Sequence, residues 1–289
     1  NSKILKSGHI KLYKRENSQF WQMKIKLPKL KAIRSSTGTK ILKDAETIAV
    51  KYYHSISSKT KLRISRTSNI FKKIHLVETA DLTKKEILYI LNESKKYISF
   101  NKRKIKRINI LEGRTIFNLF FEDSTRTRTS FEVAAKRLGA DLINVVVKDS
   151  SINKGETLLD TMTTINSMNP DVLIVRHPEE GISKKISETV DASVINAGDG
   201  SHEHPTQALL DALTIKNKFN NFAKLKIAIC GDILHSRVAR SNIIILSKLG
   251  AKINVIGPKE WLPKNIKKLP VNVFTDMRKG LKNCDIVMM

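Results

Sequence analysis

The chain is poor in the features that mark membrane proteins and disulfide-rich proteins. It has 2 cysteines, Cys230 and Cys284, in 289 residues, and no run approaches the roughly 18 to 20 apolar residues of a membrane helix. The first residues also lack the apolar core of a secretion signal. Both cysteines lie in apolar, strand-like runs, which predicts buried free thiols in a reducing, cytoplasmic compartment, with no metal site and no membrane association.

Acidic residues are scarce, and they are scarcest near the N-terminus. The formal net charge is +26, from 53 lysines and arginines against 27 aspartates and glutamates. Residues 1–70 contribute +14, from 17 basic and 3 acidic residues, and the other 219 residues contribute +12. A general enrichment of the chain in lysine could explain the net charge of the other 219 residues. The higher density of positive charge in residues 1–70 predicts an appended basic element.

Residues 8–34 contain short strand-like segments joined by polar turns. Apolar and polar side chains alternate from Trp21 to Leu27, in the motif W-x-x-K-I-K-L, which is typical of a half-buried strand with a basic outer face. A helical segment is predicted at 44–53. This pattern resembles the arm-type DNA-binding domain of tyrosine-recombinase integrases, and the resemblance implies DNA as a partner of residues 1–57. An organellar transit segment is the alternative, because the stretch is rich in Ser and Lys.

From Phe71 onwards, helical and strand-like segments alternate, which predicts parallel sheets covered by helices on both faces. The predicted strands are Thr115–Phe121, Leu142–Val147, Asp171–Arg176, Ser193–Asn196, Leu225–Cys230, Lys252–Ile256 and Asp285–Met289. The predicted helices are Leu82–Tyr97, Ser130–Leu138, Thr157–Met168, Thr206–Asn217 and Arg237–Leu249. We expect an α/β fold with two three-layer domains, 71–219 and an incomplete 220–289. A linker at 58–70 would join them to a small antiparallel sheet-plus-helix domain.

The tract F-F-E-D-S-T-R-T-R-T-S-F-E, residues 120–132, joins a predicted strand to a predicted helix. A helix N-terminus offers unpaired N–H groups and the positive end of a dipole, so Ser124 to Thr127 are suited to hold a phosphate. The two arginines of the tract can grip an anionic oxygen bidentately. A simple Ser/Thr cap with solvated arginines is the alternative interpretation.

Four further polar clusters follow predicted strands, where an open parallel sheet binds its ligands. They are the 148–161 loop with Ser150 and Lys154, the strand end at Arg176, the helix start with His204 and Gln207, and the 231–237 turn with Arg237. Each alone also fits a surface arginine, a helix cap or an ordinary turn. Together with Arg126 they supply cations and donors able to polarise a carbonyl, without paired carboxylates or a Ser-His-Asp or Cys-His set. This chemistry suits an acyl phosphate attacked by an external amine, with no cofactor.

Five motifs of the chain resemble the catalytic chain of the aspartate carbamoyltransferase family. In order they are S-T-R-T-R-T-S-F-E, K-G-E-T-L-L-D-T, V-R-H-P-x-x-G, H-P-T-Q-x-L-L-D and G-D-x-x-H-S-R-V-A-R-S. The resemblance spans residues 71–289. Ornithine carbamoyltransferase is the alternative because it shares the S-T-R-T-R loop and an H-P-x-Q motif, but the second and fourth motifs favour the aspartate family.

The resemblance implies a role for each matching residue. The phosphate of carbamoyl phosphate would be held by Ser124, Thr125, Arg126 and Thr127. The carbamoyl group would be bound by Thr127, Arg176, His204 and Gln207, with Arg176 and His204 polarising its carbonyl oxygen. Arg237 would bind a carboxylate of L-aspartate. Ser150 and Lys154 would act in the neighbouring subunit's site of a homotrimer, and a regulatory chain is a further candidate partner.

The implied reaction yields N-carbamoyl-L-aspartate and phosphate, as in pyrimidine biosynthesis. The sequence stops at Met289, where the family continues into a loop that carries an arginine and a glutamine for aspartate, and then into a final helix. We expect their absence to weaken aspartate binding and to remove apolar cover from both domains. The rival hypotheses are therefore a DNA-binding module at 1–57 fused to an inactive transferase remnant, and a chimeric join near 58–70.

Overall fold

Two units of the chain, Asn1–Asn69 and Ile70–Met289, fold around separate apolar cores. The computed structural model describes residues 2–5, 9–26, 32–65, 73–146 and 157–289. Among the described helices, none combines the length and the apolar character that crossing a bilayer demands.

The first unit is a four-stranded antiparallel sheet with one helix against it. The strands, in the order β1-β2-β3-β4, are Ser2–Leu5, Ile10–Tyr13, Gln22–Ile25 and Ile33–Ser36, and helix α1 is Leu42–Ser65. Alternate side chains of β2 and β3, such as Leu12 and Met23, are buried in the same core as Ala45 and Ala49 of α1. The predicted alternation of buried apolar and more exposed polar side chains after Trp21 is therefore confirmed. The sequence missed β1, and α1 continues through residues 58–65, which were predicted as linker.

The first parallel sheet of the second unit has the strand order β6-β5-β7-β8. Its strands are β5 Thr115–Phe120, β6 Asp141–Val146, β7 Val172–His177 and β8 Ser193–Asp199. Its helices are α2 Lys84–Ile98, α3 Thr125–Leu138, α4 Leu158–Ser167, α5 Ile182–Ser187 and α6 Pro205–Lys218. Five of the six residues of β5 are buried, as expected for a central strand covered on both faces. Helix α3 begins at Thr125 rather than at Ser130, so the S-T-R-T-R tract forms its first turn.

The second parallel sheet has the strand order β11-β10-β9-β12. Its strands are β9 Lys226–Cys230, β10 Lys252–Ile256, β11 Val271–Phe274 and β12 Ile286–Met288, with helices α7 Arg237–Leu249 and α8 Met277–Leu281. The sequence missed α5, β11 and α8 because segments this short show little periodicity. Both cysteines are free, and Cys230 is buried, but Cys284 is partly exposed, contrary to the prediction.

One apolar core joins the layers of the two parallel sheets. Helices α2, α6 and α7 meet strand β9 in it, through side chains such as Leu91, Ala212, Ile243 and Ile227. The α/β fold with two parallel sheets is as predicted, but the shared core makes residues 70–289 one compact unit. A domain boundary at 219/220 stays a prediction.

Replacing Ile243 with alanine should lower the free energy of unfolding by about 2 to 5 kcal/mol, because the change leaves a cavity in the shared core. Ile243 is 1% exposed, whereas Ile105 is 76% exposed and provides the matched control. Ile105→Ala should change the free energy by no more than about 0.5 kcal/mol. Urea denaturation measures both, and equal effects of the two substitutions would contradict this packing.

Candidate active site

Most of the predicted site residues that the structure describes lie at the carboxyl ends of three neighbouring strands of the first sheet. Strand β7 lies between β5 and β8, so the segments that leave the three strands start side by side. The segment after β5 carries Glu122 and enters α3, β7 ends in Arg176-His177, and the segment after β8 leads to His204 at the start of α6. The first turn of α7 adds Arg237. This is the edge at which open α/β sheets bind ligands.

One carboxylate lies between two arginines. Oε1 of Glu122 is 2.7 Å from Nε of Arg176 and 2.8 Å from Nη2 of Arg237. Nη1 of Arg176 donates to Oγ1 of Thr127 at 3.4 Å and to the carbonyl oxygen of Ala197 at 3.3 Å. Burial and the charge of Arg237 lower the pKa of Arg176, while Glu122 opposes that shift. Glu122 therefore reduces the repulsion between two cations held close together.

Gly198 marks the point on which the site converges. Its φ is +116°, and a Cβ there would lie 3.1 Å from Nη1 of Arg237, 3.3 Å from Nη1 of Arg176 and 3.4 Å from Cδ2 of His204. Both the backbone conformation and the close approach require glycine. The structure thus brings together three predicted residues from separate elements.

Arg237 keeps a donor available. Its Nη1 is buried and has no hydrogen-bond partner among the residues that the structure describes. Buried polar atoms are nearly always hydrogen-bonded, so an unpaired one facing a site indicates a group that a ligand would bind. The geometry suits an anionic oxygen beside Gly198.

His204 is buried and neutral. Burial, followed by the charges of Arg176 and Arg237, lowers its pKa from 6.5 to about 4. Its side chain makes no capping hydrogen bond at the start of α6, against the interpretation of this residue as a simple cap. Its backbone N–H donates to Oγ of Ser241 at 2.8 Å. A neutral imidazole retains one N–H donor, which can polarise a carbonyl without a net charge.

The S-T-R-T-R tract forms the N-terminus of α3, a helix of 14 residues. Ser124 occupies the cap position but makes no capping hydrogen bond through its side chain, which disagrees with the cap part of the alternative interpretation. Thr125 and Arg126 are exposed, whereas Thr127 is half-buried near Arg176. Arg126 also borders a mainly apolar cleft beside Tyr97 and Val133, and it is not among the three side chains nearest to Gly198.

The remaining predicted residues differ in what the structure shows. Gln207 lies in the first turn of α6, and its Nε2 donates to Oδ1 of Asp211 at 2.9 Å. Ser150 and Lys154 lie outside the described residues. Within the described part of the chain, no group of three or more His, Cys, Asp or Glu side chains could hold a metal ion.

Sequence reasoning missed the acidic and hydroxyl residues behind the site. Besides Glu122, these are Asp199, Glu203 and Ser241, each at most 2% exposed. Asp199 accepts hydrogen bonds from Nδ2 of Asn196 and from the backbone of Gly181, both at 2.8 Å. Burial raises its pKa, but hydrogen bonds from His202, Asn196 and Gly181 outweigh that effect and lower it overall. For Glu122 the available signal was its place directly after the predicted strand Thr115–Phe121.

Comparisons with known proteins agree with this geometry. The family model described as "Aspartate/ornithine carbamoyltransferase, carbamoyl-P binding domain" matches residues 74–217. The aspartate carbamoyltransferase catalytic subunit of Pelagibacter ubique is 54% identical over 227 residues, which are 78% of this chain and 72% of that protein. The corresponding subunit of Methylorubrum extorquens is 52% identical over 225 residues, which are 78% and 71% of the two chains.

Solved structures give the same result. Aspartate transcarbamoylase from Trypanosoma cruzi, in complex with carbamoyl phosphate and aspartate, has a TM-score of 0.68 and 30% identity, covering 76% of this chain and 73% of that one. The catalytic subunit of M. jannaschii aspartate transcarbamoylase has a TM-score of 0.66 and 37% identity, covering 74% of this chain and 72% of that one.

The free energy of unfolding should fall as the pH drops from about 6.5 to about 4. The unfolded chain protonates this histidine at its ordinary pKa, whereas folded His204 stays neutral until about 4. His204→Asn should lose less stability across that interval, by on the order of 3 kcal/mol. Urea denaturation at a series of pH values measures the difference. His235→Asn, at an exposed histidine, is the control, and identical pH dependence in wild type and His204→Asn would contradict a neutral, buried imidazole.

Proposed function

The chain belongs to the family of aspartate carbamoyltransferase catalytic subunits, and we propose that it transfers the carbamoyl group of carbamoyl phosphate to the amine of L-aspartate. The products are N-carbamoyl-L-aspartate and phosphate, as in pyrimidine biosynthesis. The observation that carries the proposal is the convergence of Arg176, Arg237 and His204 on Gly198. The Trypanosoma cruzi relative, which binds carbamoyl phosphate and aspartate, supports the choice of substrates.

The phosphate of carbamoyl phosphate binds at the start of α3 in this proposal. Ser124 to Thr127 offer hydroxyls and backbone N–H groups at the positive end of a helix dipole, and Arg126 adds a cation. Ser124 supports this role because its side chain is not used as a cap.

The carbamoyl group lies between Thr127, Arg176 and His204. The 3.4 Å contact between Nη1 of Arg176 and Oγ1 of Thr127 places both donors within reach of one small group. The carbonyl oxygen accepts hydrogen bonds from Arg176 and from neutral His204, and these bonds strengthen as negative charge develops on that oxygen. Gln207, one helical turn from His204, binds the carbamoyl nitrogen.

Aspartate binds with one carboxylate on Arg237, whose buried Nη1 is unpaired among the described residues. Its uncharged amine attacks the carbamoyl carbon, the carbonyl becomes an oxyanion, and the C–O bond to phosphate then breaks. The leaving phosphate takes the proton from the amine, so no protein base is needed. The protein contributes position and electrostatic stabilisation of the transition state.

The proposal includes assembly. Ser150 and Lys154, which lie outside the described residues, act in the site of a neighbouring subunit in a homotrimer. A regulatory chain stays a candidate partner, and a cytoplasmic location stays a prediction from the two free cysteines.

Carbamoylation of aspartate should exceed carbamoylation of ornithine when ureido product is measured with each amine. Arg176→Ala should lower kcat by roughly 10²- to 10³-fold, because one donor to the developing oxyanion is lost. Arg278→Ala, at an exposed arginine of α8, is the matched control and should leave kcat unchanged. A preference for ornithine would identify the activity as that of an ornithine carbamoyltransferase. No turnover with either amine would favour an inactive transferase remnant.

A second candidate function, DNA binding, is favoured by one feature of the N-terminal sheet. The strand register aligns Lys11 of β2 with Lys24 of β3, and Lys24 with Arg34 of β4. This basic row lies on the sheet face opposite the side chains buried against α1. Like charges directly opposite each other destabilise a sheet, and a row of phosphates would relieve that cost.

Binding of wild-type protein to duplex DNA should weaken steeply as salt rises, and Lys24→Gln should weaken it further. Removing one phosphate contact should reduce the slope of log affinity against log salt by about 1. Lys43→Gln removes the same charge from an exposed position on α1 and should change the slope little. Filter binding at several salt concentrations tests this hypothesis. Absent or salt-insensitive binding by the wild type would contradict a DNA-binding function.

A further inference from the structure

Glu203 is a buried carboxylate next to His204 in sequence. It is 2% exposed, and its Oε2 accepts three hydrogen bonds. Two come from Thr79, from the backbone N–H at 3.1 Å and from Oγ1 at 2.6 Å, and the third comes from Oγ of Ser241 at 2.9 Å. These donors belong to the segment before α2 and to helix α7. A buried carboxylate is costly unless donors surround it, so this arrangement indicates a specific role.

Ser241 connects this carboxylate to His204. Its hydroxyl is fully buried, donates to Oε2 of Glu203 and accepts the backbone N–H of His204 at 2.8 Å. A backbone N–H can only donate, so the Ser241 oxygen is the acceptor at His204. The hydroxyl hydrogen of Ser241 is then free to point at Oε2 of Glu203.

The imidazole of His204 depends on the backbone that Ser241 holds. His204 occupies the position directly before α6, with φ −140° and ψ 75°, and is followed by Pro205. Its ring lies against Gly198, and the charged groups around it are Arg176 from β7, Arg237 from α7 and Asp199 from β8. A small shift of this backbone would move the ring away from Gly198, the point where the three site residues meet.

We propose that Glu203 is a positioning residue for the transfer reaction, acting through the Ser241 hydroxyl to hold His204 against the carbamoyl carbonyl. This inference rests on the proposed function. Glu203 itself touches no substrate. Its Oε2 fixes the direction of a single hydroxyl, and that hydroxyl fixes the start of α6.

Lys248 offers a control within the same structure. Its Nζ donates to the carbonyl oxygens of Thr79 at 3.1 Å and Leu82 at 2.7 Å, and also to that of Ala80. Lys248→Met should loosen the segment that Glu203 binds, without removing a contact to Ser241 or His204. It therefore separates a structural effect from a positioning effect.

Ser241→Ala and Glu203→Gln should each lower kcat by on the order of 10- to 100-fold. A displacement of the His204 imidazole by about 1 Å is enough to lower the rate by that factor. The KM for carbamoyl phosphate should change little, since the phosphate contacts at Ser124 to Thr127 are untouched. Lys248→Met should lower stability but retain kcat. Equal kcat values in wild type, Ser241→Ala and Glu203→Gln would overturn the proposal.

An NMR titration of the His204 imidazole gives a readout independent of turnover, with His204→Asn used to assign the signal. In the wild type and in Lys248→Met the ring should titrate at about 4. In Ser241→Ala and Glu203→Gln its pKa should rise toward 6.5, because the released ring leaves the buried position beside two arginines. An unchanged titration in these two variants would overturn the positioning role. Absent turnover in the wild type would overturn the proposed function alone.

Discussion

The site depends on one shared ion pair, in which Glu122 bridges Arg176 and Arg237. A site for a dianionic acyl phosphate and a dicarboxylic amino acid needs concentrated positive charge, yet bare guanidiniums this close repel each other. A single carboxylate between them offsets that repulsion and fixes both side chains before substrate arrives. Since Glu122 follows β5, Arg176 ends β7 and Arg237 begins α7, the same oxygen also ties together three elements of the fold.

Helix α7 is the element that couples the core to the chemistry. Its apolar face, with Ile243 and Leu246, lies in the core that joins the two parallel sheets. Its polar side chains face the first sheet's elements: Arg237 reaches Glu122, Ser241 reaches His204, and Lys248 reaches the segment before α2. Packing and electrostatics therefore act on the same rigid body. A change in how α7 packs on the core would therefore move both Arg237 and Ser241, and with them their contacts to Glu122 and His204.

Much of this architecture follows from local sequence, and the part that does not has a physical reason. The strands from Thr115 onwards alternate with long helices, and this pattern was sufficient to predict both parallel sheets. The predicted group also included Arg126 and Lys154. The structure places Arg176, His204 and Arg237 together beside Gly198, Lys154 lies outside the described residues, and the roles of all five stay proposals. Glu203 could not be found this way, because its partner Thr79 lies 124 residues away and neither residue belongs to a periodic pattern. The likeness of the N-terminal unit to an integrase arm also stays a hypothesis.

The low pKa of His204 has a consequence for how such an enzyme would respond to its surroundings. A donor that is already neutral well below physiological pH has no proton to gain or lose when the cell acidifies mildly. Mild acidity would still act on the nucleophile, whose free amine becomes scarcer as protons accumulate. The hydrogen bond that His204 donates would keep the same strength over that range of pH.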